Sequence, residues 1–341
     1  MNFGEEMPNR PQCNVAIVGA SIAGCTAAIL FARNGARVAL IEREGDPAAY
    51  KKICTHTFNP APPRQSNGGA NGSQKEIQAK LVVGADGRQT RIAELAGLAA
   101  KVKPNGRFCY FAHYRNLPLQ NSSRSQLWAL EPDVAYTFPN DDGITVVAAF
   151  VERAKLAEWK ADPEAAMLFD GLPNAPPLKK GERVSAFMGM IEIPNKIRKA
   201  FNPGLALVGD AALAIDPLWG VSCGWAFQSA EWLAEAVGNS FQRPDNLDRG
   251  LEAYGRRHKF ELAGHEFLIS DFSTGRGYNP IERLMFSTAA RDPVCADHVL
   301  AFGSRCIGVA AFLSPSAMAR AIWVNARHAM GANRTGQQPL H

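Results

Sequence analysis

Apolar and polar positions follow two alternating periods along this chain. Short, nearly unbroken apolar runs at residues 15–18 and 37–42 read as buried strands. Between them, residues 22–34 carry apolar side chains at helical spacing and stop at Gly35. A further buried strand at 79–84 ends in Ala85-Asp86-Gly87, and a helix begins over 90–98. Strand-like segments then come in series at 108–115, 126–131, 134–138 and 144–151, with Asn140-Asp141-Asp142-Gly143 as a hairpin turn. A helical stretch at 154–170 precedes a strand at 183–193. A buried strand at 205–209 and an amphipathic helix at 225–237 follow, and helices at 251–269, 280–290 and 315–330 complete the chain. Strand–helix–strand at the start, an antiparallel block in the middle and helices at the end predict an α/β fold with an insertion.

Three glycine-and-acid patches carry the candidate chemistry. In the first, Gly19 permits the tight turn out of the strand and Gly24 lets the helix backbone approach the sheet, with Ser21, Ile22 and Ala23 between them. The helix N-terminus presents amides and a positive dipole end to a pyrophosphate. Glu42 is placed to accept hydrogen bonds from an adenosine ribose, and Arg43 lies beside it for the adenine or ribose edge. Ser21 stands where the dinucleotide fingerprint has its middle glycine. In the second patch Asp86 sits at the carboxyl end of a strand, the crevice position of such sheets, or else caps the turn that follows. In the third, Asp210 suits hydrogen bonding to a sugar-alcohol chain. Pro217, Gly220, Val221 and Ser222 form a turn whose amides suit the carbonyl edge of a flat heterocycle.

Composition narrows the remaining classes. At 341 residues and 46% hydrophobic, the chain can bury a large core, and a formal charge of +5 without charge blocks argues against a nucleic-acid groove. Seven scattered cysteines without CxxC or metal-ligand spacing fit free thiols in a reducing, cytoplasmic setting and argue against a disulfide reductase. The uncharged run 15–32 is long enough to imitate a membrane span, but Gly19 and Gly24 interrupt it, and no transmembrane segment is expected.

Read in order, the patches resemble the class A FAD-dependent monooxygenases of the para-hydroxybenzoate hydroxylase (PHBH, or GR2) fold, with their geranylgeranyl reductase and flavin-dependent halogenase relatives. Gly19–Gly24 with Glu42 resembles that family's dinucleotide fingerprint, Gly84-Ala85-Asp86-Gly87 its DG motif, and Gly209-Asp210-Ala211-Ala212 with Pro217 and Gly220 its GD motif. The resemblance covers residues 14–237. It implies a Rossmann-like FAD-binding domain from 12–100 and 195–240, an inserted antiparallel-sheet substrate domain at 101–194, and a helical C-terminal region at 241–341. It also implies FAD as cofactor and NAD(P)H as a transient co-substrate, since only one fingerprint is present. The foremost activity is then monooxygenation of an aromatic or apolar small molecule with O2, through a flavin C4a-hydroperoxide. A geranylgeranyl reductase-type reductase or dehydrogenase acting on an isoprenoid is the alternative, and a non-catalytic FAD-binding remnant is a third.

The chain departs from the family's pattern in several places. Leu213 or Ala214 stands where hydroxylases often have a histidine or arginine, and Ser222 replaces a common glycine. Gly189 and Ile191 replace the two tryptophans of the halogenases' Trp-x-Trp-x-Ile-Pro motif, of which Ile193 and Pro194 remain; halogenation is disfavoured. Between residues 42 and 81 the chain looks internally shortened, and Arg64, among prolines, is no ready substitute for the family's cofactor-reaching arginine. Lost sheet cover there would lower stability. Tyr110, His113, Trp128, Tyr136 and Met188 are candidates to face substrate. His258 and His265, seven apart on one helix face, are expected at the surface or an interface, and the C-terminal helices are expected to cover the flavin domain or pair two copies.

Overall fold

The computed structural model describes residues 12–43, 76–120, 124–168, 172, 174–238, 240–242 and 244–335. The chain opens with β1 (Gln12–Val18), α1 (Ile22–Arg33) and β2 (Val38–Ile41). Val15 and Ile17 are fully buried, as an internal parallel strand covered on both faces requires. α1 turns Ala23, Ala27 and Phe31 inward at four-residue intervals. Burial of Phe31, which meets Phe241 edge-on, contributes about 2–3 kcal/mol.

β3 (Gln78–Gly84) pairs in parallel with β1 and leads into α2 (Arg91–Leu95), whose cap Thr90 accepts from the Ala93 amide. β4 (Lys101–Lys103) precedes an antiparallel series: β5 (Arg107–Arg115), β6 (Gln126–Ala129), β7 (Val134–Pro139) and β8 (Ile144–Glu152). Helices α3 (Leu156–Ala161) and α4 (Pro163–Ala166) pack through Trp159 and Met167 on one face of that sheet. Strands β9 (Glu182–Arg183) and β10 (Met188–Met190) add to β5.

The chain then returns to the first layer with β11 (Asn195–Ile197), β12 (Phe201–Asn202), β13 (Leu205–Leu207), β14 (Leu213–Ala214) and α5 (Ser222–Val237). It finishes in α6 (Pro244–Phe272), α7 (Pro280–Ala289), α8 (Pro293–Gly303), α9 (Val309–Phe312) and α10 (Pro315–Thr335). The first sheet has the order β12-β13-β3-β1-β2, so a strand from after the insertion completes it. A three-stranded sheet, β14-β11-β4, joins it to the insertion. The fold is therefore α/β, a Rossmann-like domain with an inserted antiparallel sheet and a helical C-terminal region, as the resemblance implied.

Several local expectations need correction. The helix expected over 154–170 breaks at Asp162, whose carboxylate caps the Pro163 helix by accepting from the Ala165 amide. The strand expected over 183–193 splits into β9 and β10. α8 was not expected; it starts with Asp292 capping and Pro293 in the first turn, an N-terminal signal of the same kind as Asn279-Pro280 in α7. His258 and His265 do share a face, but it is the buried one, 7% and 1% exposed. α6 packs on α5 on one side and on the terminal helices on the other, so the face that carries both imidazoles is covered. The expectations for the shortened stretch and for Arg64 lie outside the described residues.

Candidate functional site

Backbone pairing brings the three patches to one edge. The Gly19 amide donates to Ile41 O at 2.8 Å, Ala85 N to Val18 O at 2.8 Å, and Val208 N to Gly84 O at 3.0 Å. The carboxyl ends of β2, β1, β3 and β13 thus stand side by side, and Gly19, Asp86 and Asp210 each follow one of them. This is the crevice where open parallel sheets bind ligands.

The glycines there are required by close approach. Gly19 has φ +104°, and a Cβ on it would stand 2.4 Å from Ala85 O. A Cβ on Gly24 would stand 1.8 Å from Gly19 O and 3.2 Å from the Ala85 methyl. The glycine turn, the first turn of α1 and the DG segment are therefore pressed together. Gly209, with φ +58°, brings the GD segment against the same helix, its Cβ position 2.9 Å from the Ala23 methyl.

Two helix N-termini open at this edge. Neither Ser21 at the start of α1 nor Val221 at the start of α5 caps its helix with a side chain, and neither first turn contains an acid. Each leaves amides and a positive dipole end for an anion or a partly negative oxygen. Gly220, with φ +68°, has open space where a side chain would lie. Pro217 starts the turn, and the buried Asp216 carboxylate caps it by accepting from the Leu218 amide at 2.8 Å.

The acids divide into distinct situations. Glu42 turns back to the glycine loop, accepting from Ala20 N at 2.6 Å and Arg43 N at 2.8 Å. Asp86 accepts from the Arg91 and Ile92 amides through Oδ2, so it caps the following turn as its alternative reading required. Its Oδ1 is buried and has no hydrogen-bond partner. Burial raises the carboxyl pKa of Asp216, against the opposing influence of Arg107 and the Asn105 hydrogen bond. A positive-φ cradle, uncapped helix ends and an orphaned carboxylate oxygen together fit an extended dinucleotide with a polar chain and a flat ring.

The antiparallel sheet stands over this edge. Tyr136 donates its hydroxyl to Leu218 O, and Leu218 packs with Phe111, Phe150 and Ile193. Strand register puts His113, Tyr136 and Met188 on that face and Tyr110 and Trp128 on the opposite one. Tyr110 packs against Trp159. Burial lowers the His113 pKa.

Residues missed in the sequence join the parts. Arg88 donates to Pro194 O at 2.9 Å and to Ile215 O at 2.7 Å, tying the DG segment to the exit of the insertion and to the strand end before the Pro217 turn. Arg198 donates to Arg88 O and Ala211 O, and Tyr254 donates to Leu207 O at 2.6 Å. Arg107 is fully buried, stacks 3.9 Å from the Phe272 ring centroid and donates to Phe272 O. Their partners are backbone carbonyls, for which sequence carries no mark; only Asp216 before Pro217 had a readable cap signal.

Residues 17–59 match the family of NAD(P)-binding Rossmann-like domains. Digeranylgeranylglycerophospholipid reductase of Methanococcus vannielii is 28% identical over 207 residues, 59% of this chain and 51% of that protein. The enzyme of the same name from Methanocaldococcus jannaschii is 27% identical over 257 residues, 71% and 59% of the two chains. The chain spans about half the length of the curated relatives it matches. Among solved structures, a flavin-dependent brominase superposes with a TM-score of 0.68 at 16% identity, over 93% of this chain and all of that one, a likeness of fold. The chain thus has a Rossmann-type FAD/NAD(P)-binding fold related both to archaeal geranylgeranylglycerophospholipid reductases and to the class A FAD monooxygenases and halogenases.

Proposed function

We propose that this chain is an FAD-dependent reductase that saturates carbon–carbon double bonds of an isoprenoid chain, with NAD(P)H as the source of electrons. Kinship in sequence favours saturation over oxygen insertion: the relatives matched are reductases, whereas the halogenases share the fold alone. The observation in this molecule that carries the reading is the apolar sheet face beside the Leu218 turn, where Phe138 and Met188 stay partly exposed at the border of the buried Phe111 and Tyr136, a surface suited to an aliphatic polyene.

In this reading the α1 amides from Ser21 to Gly24 hold the diphosphate, and Glu42 and Arg43 border the adenosine ribose. Asp86 and Gly209-Asp210 border the polar chain, and Pro217, Gly220, Val221 and Ser222 meet the ring edge. Bound FAD supplies the two-electron relay between the nicotinamide and the double bond. The α5 N-terminus stabilises negative charge at the ring edge, and the sheet excludes water from the apolar side. The division into 12–100 with 195–240, 101–194 and 241–341 is the domain organisation that accompanies it.

The deciding experiment reduces the FAD-loaded protein anaerobically and offers a geranylgeranyl lipid. Gain of two hydrogens per double bond, with no oxygen incorporated when air is admitted, supports the proposal. Incorporation of one atom of labelled O2 would establish the monooxygenase instead, and a protein that takes up no FAD overturns both enzymes.

A further inference from the structure

The outer face of α10 has no counterpart in the chemistry above. Its exposed residues include Ala319, Ile322, Trp323, Ala326 and Met330, with Ile322 57%, Trp323 55% and Met330 62% accessible. At about 100° per residue these positions fall within one narrow arc of the helix. Packing is carried by the other side: Ala321 packs with Met285 and Phe312, and Asn325 bonds to Thr288 and Leu284. The stripe is therefore a second apolar surface, separate from the one that holds α10 to the protein.

Charge distinguishes the possible occupants. The sequence 315–335 contains Arg320, Arg327, Arg334 and His328 and no carboxylate. Arg320 and Arg327, one heptad apart, flank the stripe on one side. The Arg327 guanidinium lies 5.4 Å from the Trp323 ring centroid, and Arg320 is paired with Asp292. Self-pairing through this face would bring together two helices with no acid between them. A surface that is negative outside and apolar beneath matches both features, with Trp323 at the depth where indoles sit in interfaces.

We infer that α10 docks on an anionic lipid bilayer, inserting Ile322, Trp323 and Met330 among the acyl chains and setting Arg327 against the headgroups. Such docking is peripheral, since no helix among the described residues is long and apolar enough to cross a membrane. It does not depend on the proposed reduction, although it would bring the fold to a surface where isoprenoid lipids reside.

The test is flotation of the whole protein with vesicles of phosphatidylglycerol and phosphatidylcholine, compared with phosphatidylcholine alone, without cofactor or turnover. Binding is expected to the anionic vesicles, and raised salt should weaken it. Arg327→Gln should weaken binding about fivefold. The double variant Ile322→Ser with Trp323→Ser should weaken it at least tenfold while retaining the helical circular dichroism of the parent. Failure to bind anionic vesicles, or equal binding by the double variant, overturns the inference. So does a dimer in sedimentation equilibrium that the double variant dissociates, since the stripe would then belong to a second copy.

Discussion

Replacing Gly24 by alanine tests whether the contact between the glycine turn and α1 does what the geometry requires. The added methyl would stand 1.8 Å from Gly19 O, where carbon–oxygen contacts ordinarily lie at about 3.3 Å. Relief requires a shift of about 1.5 Å between helix and turn. The Ala85 methyl, 3.2 Å away, blocks one direction of escape. Overpacking of this kind costs roughly 1–3 kcal/mol, against a helix-propensity gain of about 1 kcal/mol for alanine over glycine. A 1.8 Å clash against backbone lies at the upper end of that range, so a net loss of about 1–2 kcal/mol remains and Gly24→Ala should melt a few degrees lower. Under the proposed function the same shift would displace the α1 amides from the diphosphate, and losing one charge-assisted bond should lower FAD affinity by at least about tenfold. Thermal melts followed by circular dichroism and titration of FAD by flavin fluorescence read the two effects. A variant that binds FAD as tightly as the parent, with unchanged or raised melting temperature, refutes the close-approach argument.

Three further outcomes follow from the geometry. Arg88→Met removes hydrogen bonds to Pro194 O and Ile215 O and should cost about 2–4 kcal/mol in chemical denaturation; a loss below about 0.5 kcal/mol would show that the bridge is idle. Glu42→Gln keeps the shape but removes the charge that receives the Ala20 amide, so FAD affinity should fall about tenfold by equilibrium titration, and unchanged affinity would dissociate Glu42 from the nucleotide. Burial holds His258 down at about 4, against 6.5 in the unfolded chain, so the unfolded state binds the proton first and stability falls as pH drops from 6.5 toward 4. That term amounts to about 2 kcal/mol at pH 5. His258→Phe should remove that much of the pH dependence, because the opposite-signed contribution of Asp216 is common to both proteins; identical pH profiles would contradict the assignment.

Sequence reading succeeded where one residue type has one physical use. Gly19 and Gly24 announce a close approach, and Asp86 and Asp210 lie at strand ends that pairing then sets side by side. The inserted strands were legible because aromatic and β-branched residues crowd Phe108–Tyr114 and Val134–Phe138 between turn signals, although burial there does not alternate. It failed where the decisive partner is a distant carbonyl, as for Arg88 and Arg107, or where a polar residue lies on a covered face, as for His258 and His265. Spacing placed both imidazoles on one side of α6, but which side is covered depends on helices packed from elsewhere. The five substrate-facing candidates divided between two faces for a similar reason: a strand's two sides look alike in sequence until its neighbours are known.

The parallel sheet is completed by Leu205–Leu207 pairing with β3 across the whole insertion. During synthesis, therefore, β3 emerges with one edge open and waits for its neighbour. The antiparallel strands, joined by local turns, close first, and their closure returns the chain to the waiting edge. The Pro217 turn and the start of α5 leave the ribosome later still. Assembly of the crevice is thereby a late event that needs the chain through Ser222, and products ended before Leu205 carry an unpaired apolar edge at β3 that favours aggregation.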